Sequence, residues 1–316
     1  MKKKILLTGY PGWLGDELHQ KLSPNYEIFT TSELNLETDN HFCQKISNKA
    51  CFKEFKEKFS LIDFKAIIHC AGIIHPKFNN DFNDINFLGS KKLIESINKK
   101  EKIIFISSNA VYGNIYNDFK MQNEMYSNPS NQYGVSKINF EKYLLNNHKN
   151  ISYILRPSTF HSKNFPKKYN EYLKFVEKNF AILPKKNVYR NFTSVELLTD
   201  TICKILKSSV NPGVYNVMDK NRISIYEFHD IIERSLNIKI KRIYLHNIFF
   251  KFFFYLDKIL SKLNLYNKNI HLLGEANCCT NMCGRKIDKI IDRSKYNNLE
   301  FSLSNYIENV YSKNTA

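Results

Sequence analysis

The sequence has no block of five or six like charges, no internal repeat, no low-complexity linker and no repeated cysteine spacing. Each absence closes a class of function. Basic residues outnumber acidic ones, 47 against 30, for a formal charge of +17. The lysines are nevertheless spread along the chain among abundant Asn, Ile, Phe and Tyr. That pattern reflects a biased composition and not a nucleic-acid footprint, so nucleic acid is excluded as a partner. The seven cysteines are an odd number, and their one cluster, Cys278-Cys279 with Cys283, lacks an obvious fourth metal ligand. The expectation is reduced structural thiols in a cytoplasmic protein and no metal site. Lys2-Lys3-Lys4 followed by Ile5-Leu6-Leu7 imitates a signal peptide, but the apolar run stops at Gly9, too short for an h-region. No uninterrupted apolar run is long enough to cross a bilayer. The most apolar stretch, 246–265, is broken by Lys251, Asp257, Lys258 and Lys262. It reads either as a basic, aromatic helix lying on a membrane surface or, preferred here, as a helix buried in the core or in a dimer contact.

Against these absences stand several motifs. Tyr133-Gly134-Val135-Ser136-Lys137 places a phenol and an ammonium four residues apart, on one helix face. There the ammonium can lower the phenol pKa from its free value of about 10. Such a phenol can exchange a proton with a carbinol oxygen, and a serine hydroxyl can hold that oxygen. Ser107-Ser108 supplies the serine. Alone, Tyr-x-x-x-Lys is common and reads as a solvated helix face; its surroundings change that.

The run Ile5-Leu6-Leu7 leads into Thr8-Gly9-Tyr10-Pro11-Gly12-Trp13-Leu14-Gly15 and then a helical pattern, which reads as strand, phosphate loop, helix. Gly9 permits a tight turn, Gly12 lets the backbone approach a pyrophosphate, and Gly15 lets helix and strand pack closely. The spacing is G-x-x-G-x-x-G. Further strands are expected at 26–31, at 66–72 (ending at Ala71-Gly72), at 102–107 (ending at the serines) and at 151–155 (ending at Arg156-Pro157). Helices are expected over 86–98 and 132–145. This alternation predicts an α/β fold, a doubly wound parallel sheet with ligands at the carboxyl ends of its strands. The glycine loop, Ala71-Gly72, Ser108 and Arg156-Pro157 converge on that one edge.

With these pieces in hand, the chain resembles the extended short-chain dehydrogenase/reductase family of nucleotide-sugar epimerases, dehydratases and reductases. The resemblance is carried by Thr8-Gly9-x-x-Gly12-x-x-Gly15, His69-Cys70-Ala71-Gly72, Asn86, Ser107-Ser108-x-x-Val111-Tyr112-Gly113, Tyr133-x-x-x-Lys137 and Leu155-Arg156-Pro157. Arg190-Asn191-Phe192-Thr193-Ser194-Val195, Gly213–Val217 and Phe301-Ser302-Leu303 extend it. It covers roughly residues 1–235 well and the remainder thinly. It implies a Rossmann NAD(P)-binding domain over 1–160, with 188–220 returning to it, and a smaller α/β substrate cap from 161–187 and 221–316. It also implies a homodimer through the Asn86 and Tyr133 helices.

The roles it implies are these. Ser108, Tyr133 and Lys137 are catalytic. Gly9, Gly12, Trp13, Leu14, Gly15, Thr31, Ser32, Ala71, Gly72, Asn86, Ser107, Tyr133, Lys137, Arg156 and Pro157 contact the cofactor. Ser108, Asn109 and Arg190 contact a nucleoside-diphosphate sugar, with Arg190 at its diphosphate. The positive charge suits such an anionic substrate, an anionic cofactor or an anionic membrane face.

Dehydratases of the family carry Thr-Asp-Glu where this chain has Ser108-Asn109-Ala110, and neither amide nor methyl can eliminate water. GDP-fucose synthases place a cysteine base at the position of Ala110. What remains is hydride transfer at one sugar carbon, C4, as a 4-keto-sugar reductase or, alternatively, a UDP-glucose 4-epimerase-like enzyme holding NAD. A non-catalytic cofactor-binding scaffold is a minor alternative, opposed by the retained Ser108, Tyr133 and Lys137. The second strand ends Phe29-Thr30-Thr31-Ser32, without the Asp that marks NAD or the Arg that marks NADP. Thr31 and Ser32 could hydrogen-bond a phosphate, which tilts the choice slightly to NADP and so to the reductase, for surface-polysaccharide synthesis.

Overall fold

The computed structural model describes residues 2–36, 38–98, 100–116, 121–162, 172–176, 180–296 and 299–312. A seven-stranded sheet runs through it: β1 (Lys3–Thr8), β2 (Tyr26–Ser32), β3 (His41–Cys43), β4 (Phe64–His69), β5 (Ile103–Ile106), β6 (Ser152–Pro157) and β11 (Gly213–Val217). The order is β11-β6-β5-β4-β1-β2-β3, and the adjacent strands pair in parallel. This is the Rossmann-like arrangement that the alternation of strand and helix patterns predicts.

Both faces of the sheet are covered, which explains the near-continuous apolar runs of the strands. Successive side chains of a strand alternate between faces. Ile5, Leu7, Ile68, Ile104, Ile106 and Leu155 pack on one side with α1 (Trp13–Leu22) and the Val195–Lys207 helix. Leu6, Ile67, Ile103, Phe105 and Ile154 pack on the other with α2 (Lys53–Phe59), α3 (Ser90–Glu95) and α4 (Gln132–Asn147). The strand order reverses direction between β1 and β4, so the crevice at the carboxyl end of the sheet opens there.

Smaller strands build the rest: β7 (Thr159–His161) with β10 (Phe192–Ser194), β9 (Tyr189–Arg190) with β12 (Ile223–Ser224), and β8 (Ala181–Pro184) with β13 (Arg242–Leu245). A second core lies around β8 and the Ile225–Leu236 helix. It contains Leu183, Phe192, Phe228, Ile232, Leu303 and Ile307. Within 221–316, however, Ile287, Ile291 and Tyr296 pack into the core of the large sheet, so that range is shared between the two cores. Residues 163–171 and 177–179 of the expected 161–187 cap segment lie outside the described residues.

The apolar stretch at 246–265 forms a helix, Asn247–Lys262, of which Phe250 is the only fully buried member. The preferred expectation is burial in the core or in a dimer contact; the core alternative is corrected, and the dimer contact is not decided by a single copy. Ile248, Phe252, Tyr255, Ile259 and Leu263 are exposed in the monomer. Among the described residues no helix is long and apolar enough to cross a membrane.

The interior also holds an ion pair. Arg156 on β6 and Glu141 on α4 meet at 2.6 Å and 3.0 Å in a two-pronged contact, both buried. Ser107, after β5, donates to the same carboxylate. Arg156 also donates to Tyr112 Oη at 3.1 Å and to the carbonyls of Glu124 and Tyr126 at 3.1 and 3.3 Å. Removing one partner leaves a buried charge uncompensated. Glu141→Gln should accordingly lower unfolding stability by about 3 kcal/mol or more, read as a shifted denaturant midpoint with an unchanged slope. A loss under about 0.5 kcal/mol would show that the pair contributes nothing.

Candidate active site

The carboxyl ends of β1, β4, β5 and β6 lie along one edge of the parallel sheet. Gly9 has φ +88°, in the left-handed region that glycine tolerates best. A methyl group there would stand 2.8 Å from the Ala71 nitrogen, so the turns after β1 and β4 touch. Gly12 and Gly15 each face the Gly9 carbonyl, where an added Cβ would stand at 2.7 and 2.6 Å. Gly12 is also the N-cap of α1 and has no side chain to satisfy the first-turn N–H groups. A bare helix N-terminus beside a close-packed glycine turn suits a dinucleotide's diphosphate. The Trp13 ring lies 5.8 Å from that of Phe160 in a tilted contact, and Leu14 packs against the sheet core.

Ser108 lies after β5 and caps a short 3-10 turn, Asn109–Tyr112, by accepting from the Ala110 N–H at 3.1 Å. Its hydroxyl is 3.4 Å from Asn109 Oδ1. Tyr133 stands in the first turn of α4, which Asn131 caps by accepting from Gly134 N–H at 2.8 Å. Lys137 follows one turn later, buried, and donates to the Ile106 carbonyl at 3.1 Å. Its ammonium sits 4.9 Å from the Phe105 ring centre and 5.7 Å from that of Tyr133.

Gly72 completes this side. A Cβ there would stand 2.9 Å from Asn86 Oδ1 and 3.6 Å from Lys137 Nζ. Asn86 is buried in a π-helical stretch, Phe82–Gly89, a rare form that recurs at functional sites. Its amide staples the strand-end loop, accepting from Ile73 N–H at 2.8 Å and donating to Ile73 O at 3.0 Å.

Burial sets the ionisation of these groups. It pushes the Tyr133 phenol up to about 12, and the hydrogen bond with Ser108 pulls in the opposite direction. The direction is opposite to the lowering expected from Lys137: desolvation of the phenolate is the largest influence, and the opposing one comes from Ser108. Burial brings the Lys137 ammonium down to about 8, against the favourable influence of Cys70 and Glu141. His69, bonded to Thr8 and Ser90, falls to about 3 and is neutral, while Cys70 rises to about 12 and stays a thiol.

Several expected contacts are placed otherwise. The Thr31 hydroxyl is buried and donates to Phe42 O at 2.8 Å, across the β2–β3 pair, while Ser32 Oγ accepts from the Leu34 N–H at 3.3 Å. The guanidinium of Arg156 and the hydroxyl of Ser107 are held by Glu141, so their side chains act inside the protein and not as cofactor contacts. Pro157, the last residue of β6, is buried. Arg190 is engaged by backbone carbonyls: its Nε donates to Cys278 O at 3.1 Å, and one terminal nitrogen donates to Glu275 O and Ala276 O, both at 2.8 Å. That is a clamp on the chain after the Lys268–Glu275 helix, not an open anion site.

The sequence reading missed three contributors. Glu141 continues the four-residue spacing of Tyr133 and Lys137, and a carboxylate on the apolar side of a helix was a legible signal. Phe82 stands 5.7 Å from the Tyr133 ring, and Tyr266 stands 5.9 Å from Phe82 while bonding His75 at 2.6 Å. The last contact joins residues 191 apart in the chain and leaves no sequence trace. Among the described residues no group of three or more His, Cys, Asp or Glu is placed to hold a metal.

The chain belongs to the NAD dependent epimerase/dehydratase family, whose model matches residues 5–217. A Methanocaldococcus jannaschii protein provisionally named UDP-glucose 4-epimerase is 33% identical over 156 residues, 44% of this chain and about half (49%) of that protein. The UDP-glucuronic acid 4-epimerase of Bacillus cereus, solved with NAD, superposes with TM-score 0.72 at 19% identity, covering 98% of this chain and 99% of that one. The dTDP-4-dehydrorhamnose reductase of Bacillus anthracis, solved with NADP, superposes with TM-score 0.62 at 22% identity, covering 78% and 85%.

The lowered Lys137 value has a consequence for stability. Folding depresses this pKa from 10.5 to about 8, so the unfolded chain binds more protons between those values and stability from this group rises with pH there. The stability of the wild type relative to Lys137→Met should therefore improve between pH 7 and pH 10. Denaturant titrations at both values test it; a flat difference would mean that folding does not depress this pKa.

Proposed function

We propose that this protein is an NAD(P)-dependent oxidoreductase that moves a hydride at one carbon, C4, of a nucleoside-diphosphate sugar. The observation that carries the reading is the assembly of Ser108, Tyr133 and Lys137 beside Gly72 and Asn86, at the switch point of the sheet. In this reading the turn at Gly9, Gly12 and Gly15 receives the cofactor's diphosphate, and Lys137 and the Gly72 backbone border its nicotinamide end. The bound dinucleotide would supply the hydride donor and acceptor. Tyr133 exchanges the proton on the sugar oxygen, and the Ser108 hydroxyl holds that oxygen. Asn109 and Ala110 offer no acid or base, so elimination of water is not part of the reaction.

Of the two activities left, we favour 4-epimerisation with retained NAD. The Thr31 hydroxyl is committed to Phe42 O, which removes half of the argument for a 2′-phosphate. The similarity to a UDP-glucuronic acid 4-epimerase also spans both cores of the chain. Reduction of a 4-keto sugar is the second reading, and one observation favours it: a phenol at about 12 is protonated at neutral pH and ready to donate to a ketone. Two finer proposals accompany either reading. The enzyme serves surface-polysaccharide synthesis in the cytoplasm, and two copies pair through the helices that carry Asn86 and Tyr133.

The deciding experiment is mass-spectrometric and fluorescence analysis of the cofactor carried by undialysed protein. Stoichiometric NAD surviving gel filtration supports the epimerase, whereas an empty site that prefers NADPH supports the reductase. Under either reading Tyr133→Phe should lower kcat by about a hundredfold or more while leaving cofactor affinity within about twofold of wild type. A mutant of wild-type activity would sink the proposed site.

A further inference from the structure

The Asn247–Lys262 helix carries a feature that hydride transfer does not use. Ile248, Phe252, Tyr255, Ile259 and, at its C-cap, Leu263 recur every three or four residues, and their exposures lie between 55 and 71%. At 3.6 residues per turn they form one stripe about 80° wide along the whole helix. Lys251, Lys258 and Lys262, all exposed, line one shoulder of that stripe. The helix has one acidic residue, Asp257, and it is turned inward to His271 Nδ1 at 2.9 Å. The opposite side is anchored: Phe250 is buried, and Phe254 backs onto Gly274 so closely that a Cβ on Gly274 would stand 3.0 Å from the Phe254 backbone. The exposed stripe is thus held rigidly and faces outward.

We infer that this face docks on an anionic lipid surface. The stripe offers on the order of several hundred Å² of contiguous apolar surface, more than scattered exposure produces. Its aromatic and aliphatic side chains can enter the headgroup boundary while the lysines reach anionic phosphates alongside. The protein's charge of +17 adds long-range attraction of the same sign. A second copy fits less well, because antiparallel two-fold pairing of the stripe sets lysine shoulder against lysine shoulder.

Docking here would also reach the catalytic wall. The turn that follows the helix is bonded to the loop after β4: Asn80 N–H donates to Asn264 Oδ1 at 2.8 Å, Asn79 donates to Leu265 O, and His75 bonds Tyr266. That loop leads into Phe82 against Tyr133. The inference does not depend on the choice between epimerase and reductase.

Co-sedimentation of the full chain with vesicles tests it, using phosphatidylcholine alone and phosphatidylcholine containing about a third phosphatidylglycerol. The wild type should bind the anionic vesicles at least about tenfold more tightly than the neutral ones, and high salt should weaken that binding. Two variant sets, Phe252→Ser with Ile259→Ser and Lys251→Glu with Lys258→Glu and Lys262→Glu, should each lose about tenfold or more of it. Cofactor binding by the variants, followed by fluorescence, should remain, which separates this result from loss of the fold or of the proposed active site. Wild-type protein that stays in solution with both vesicles overturns the inference, as does binding that neither variant set alters. A dimer that the Phe252→Ser, Ile259→Ser variant converts to monomer, without vesicle binding by the wild type, assigns the face to a second copy and overturns it too.

Discussion

The contact between Arg156 and Glu141 is the constraint on which the site depends. One carboxylate is gripped by a guanidinium from β6 and by the Ser107 hydroxyl after β5, and it belongs to the helix that carries Tyr133 and Lys137. The phenol and the ammonium come from that helix, and the neighbouring serine comes from the chain after β5. Their spacing is set where those elements are cross-linked, and this is the cross-link. The guanidinium's further bonds to Tyr112 and to the carbonyls of Glu124 and Tyr126 fix the loop between the 3-10 turn and α4 as well. A buried ion pair adds little net stability over a well-packed apolar alternative. We read this one as serving geometry, holding proton-transfer groups to the tolerance that chemistry requires.

Burial then determines what those groups can do. The same desolvation raises the phenol, lowers the ammonium and keeps His69 neutral and Cys70 protonated. Of the four, Lys137 alone is brought near physiological pH. A site that suppresses charge favours the partner that restores it, and an anionic cofactor or substrate does so for an ammonium.

The chain divides its chemistry by position. The carboxyl edge of the large sheet gathers the glycine turn, Gly72, Ser108 and the Tyr133 helix, while the Asn247–Lys262 helix packs on the Lys268–Glu275 helix, whose following chain Arg190 clamps at 275–278. The bonds from His75, Asn79 and Asn80 to 264–266 join the two. Whatever covers the outward stripe of the helix is therefore mechanically connected to the wall beside Tyr133.

Much of this was legible in the sequence, for a physical reason. Short continuous apolar runs, glycines where backbones must touch, and a four-residue helical spacing are local patterns, and local patterns survive in one dimension. They determined the parallel sheet, the turn at Gly9 and the shared face of Tyr133 and Lys137. Tertiary structure decided the rest, because it concerns which groups are already engaged by others. Thr31 and Arg156 read as cofactor contacts until the structure gave their hydrogen atoms to Phe42, Glu141 and Tyr112. The aromatic stretch at 246–265 read as buried until packing left one face of it outside. The phenol's pKa followed burial over its helical neighbour. Residue type and spacing state what a side chain can do; only three-dimensional packing determines which partner it has and how much water it loses.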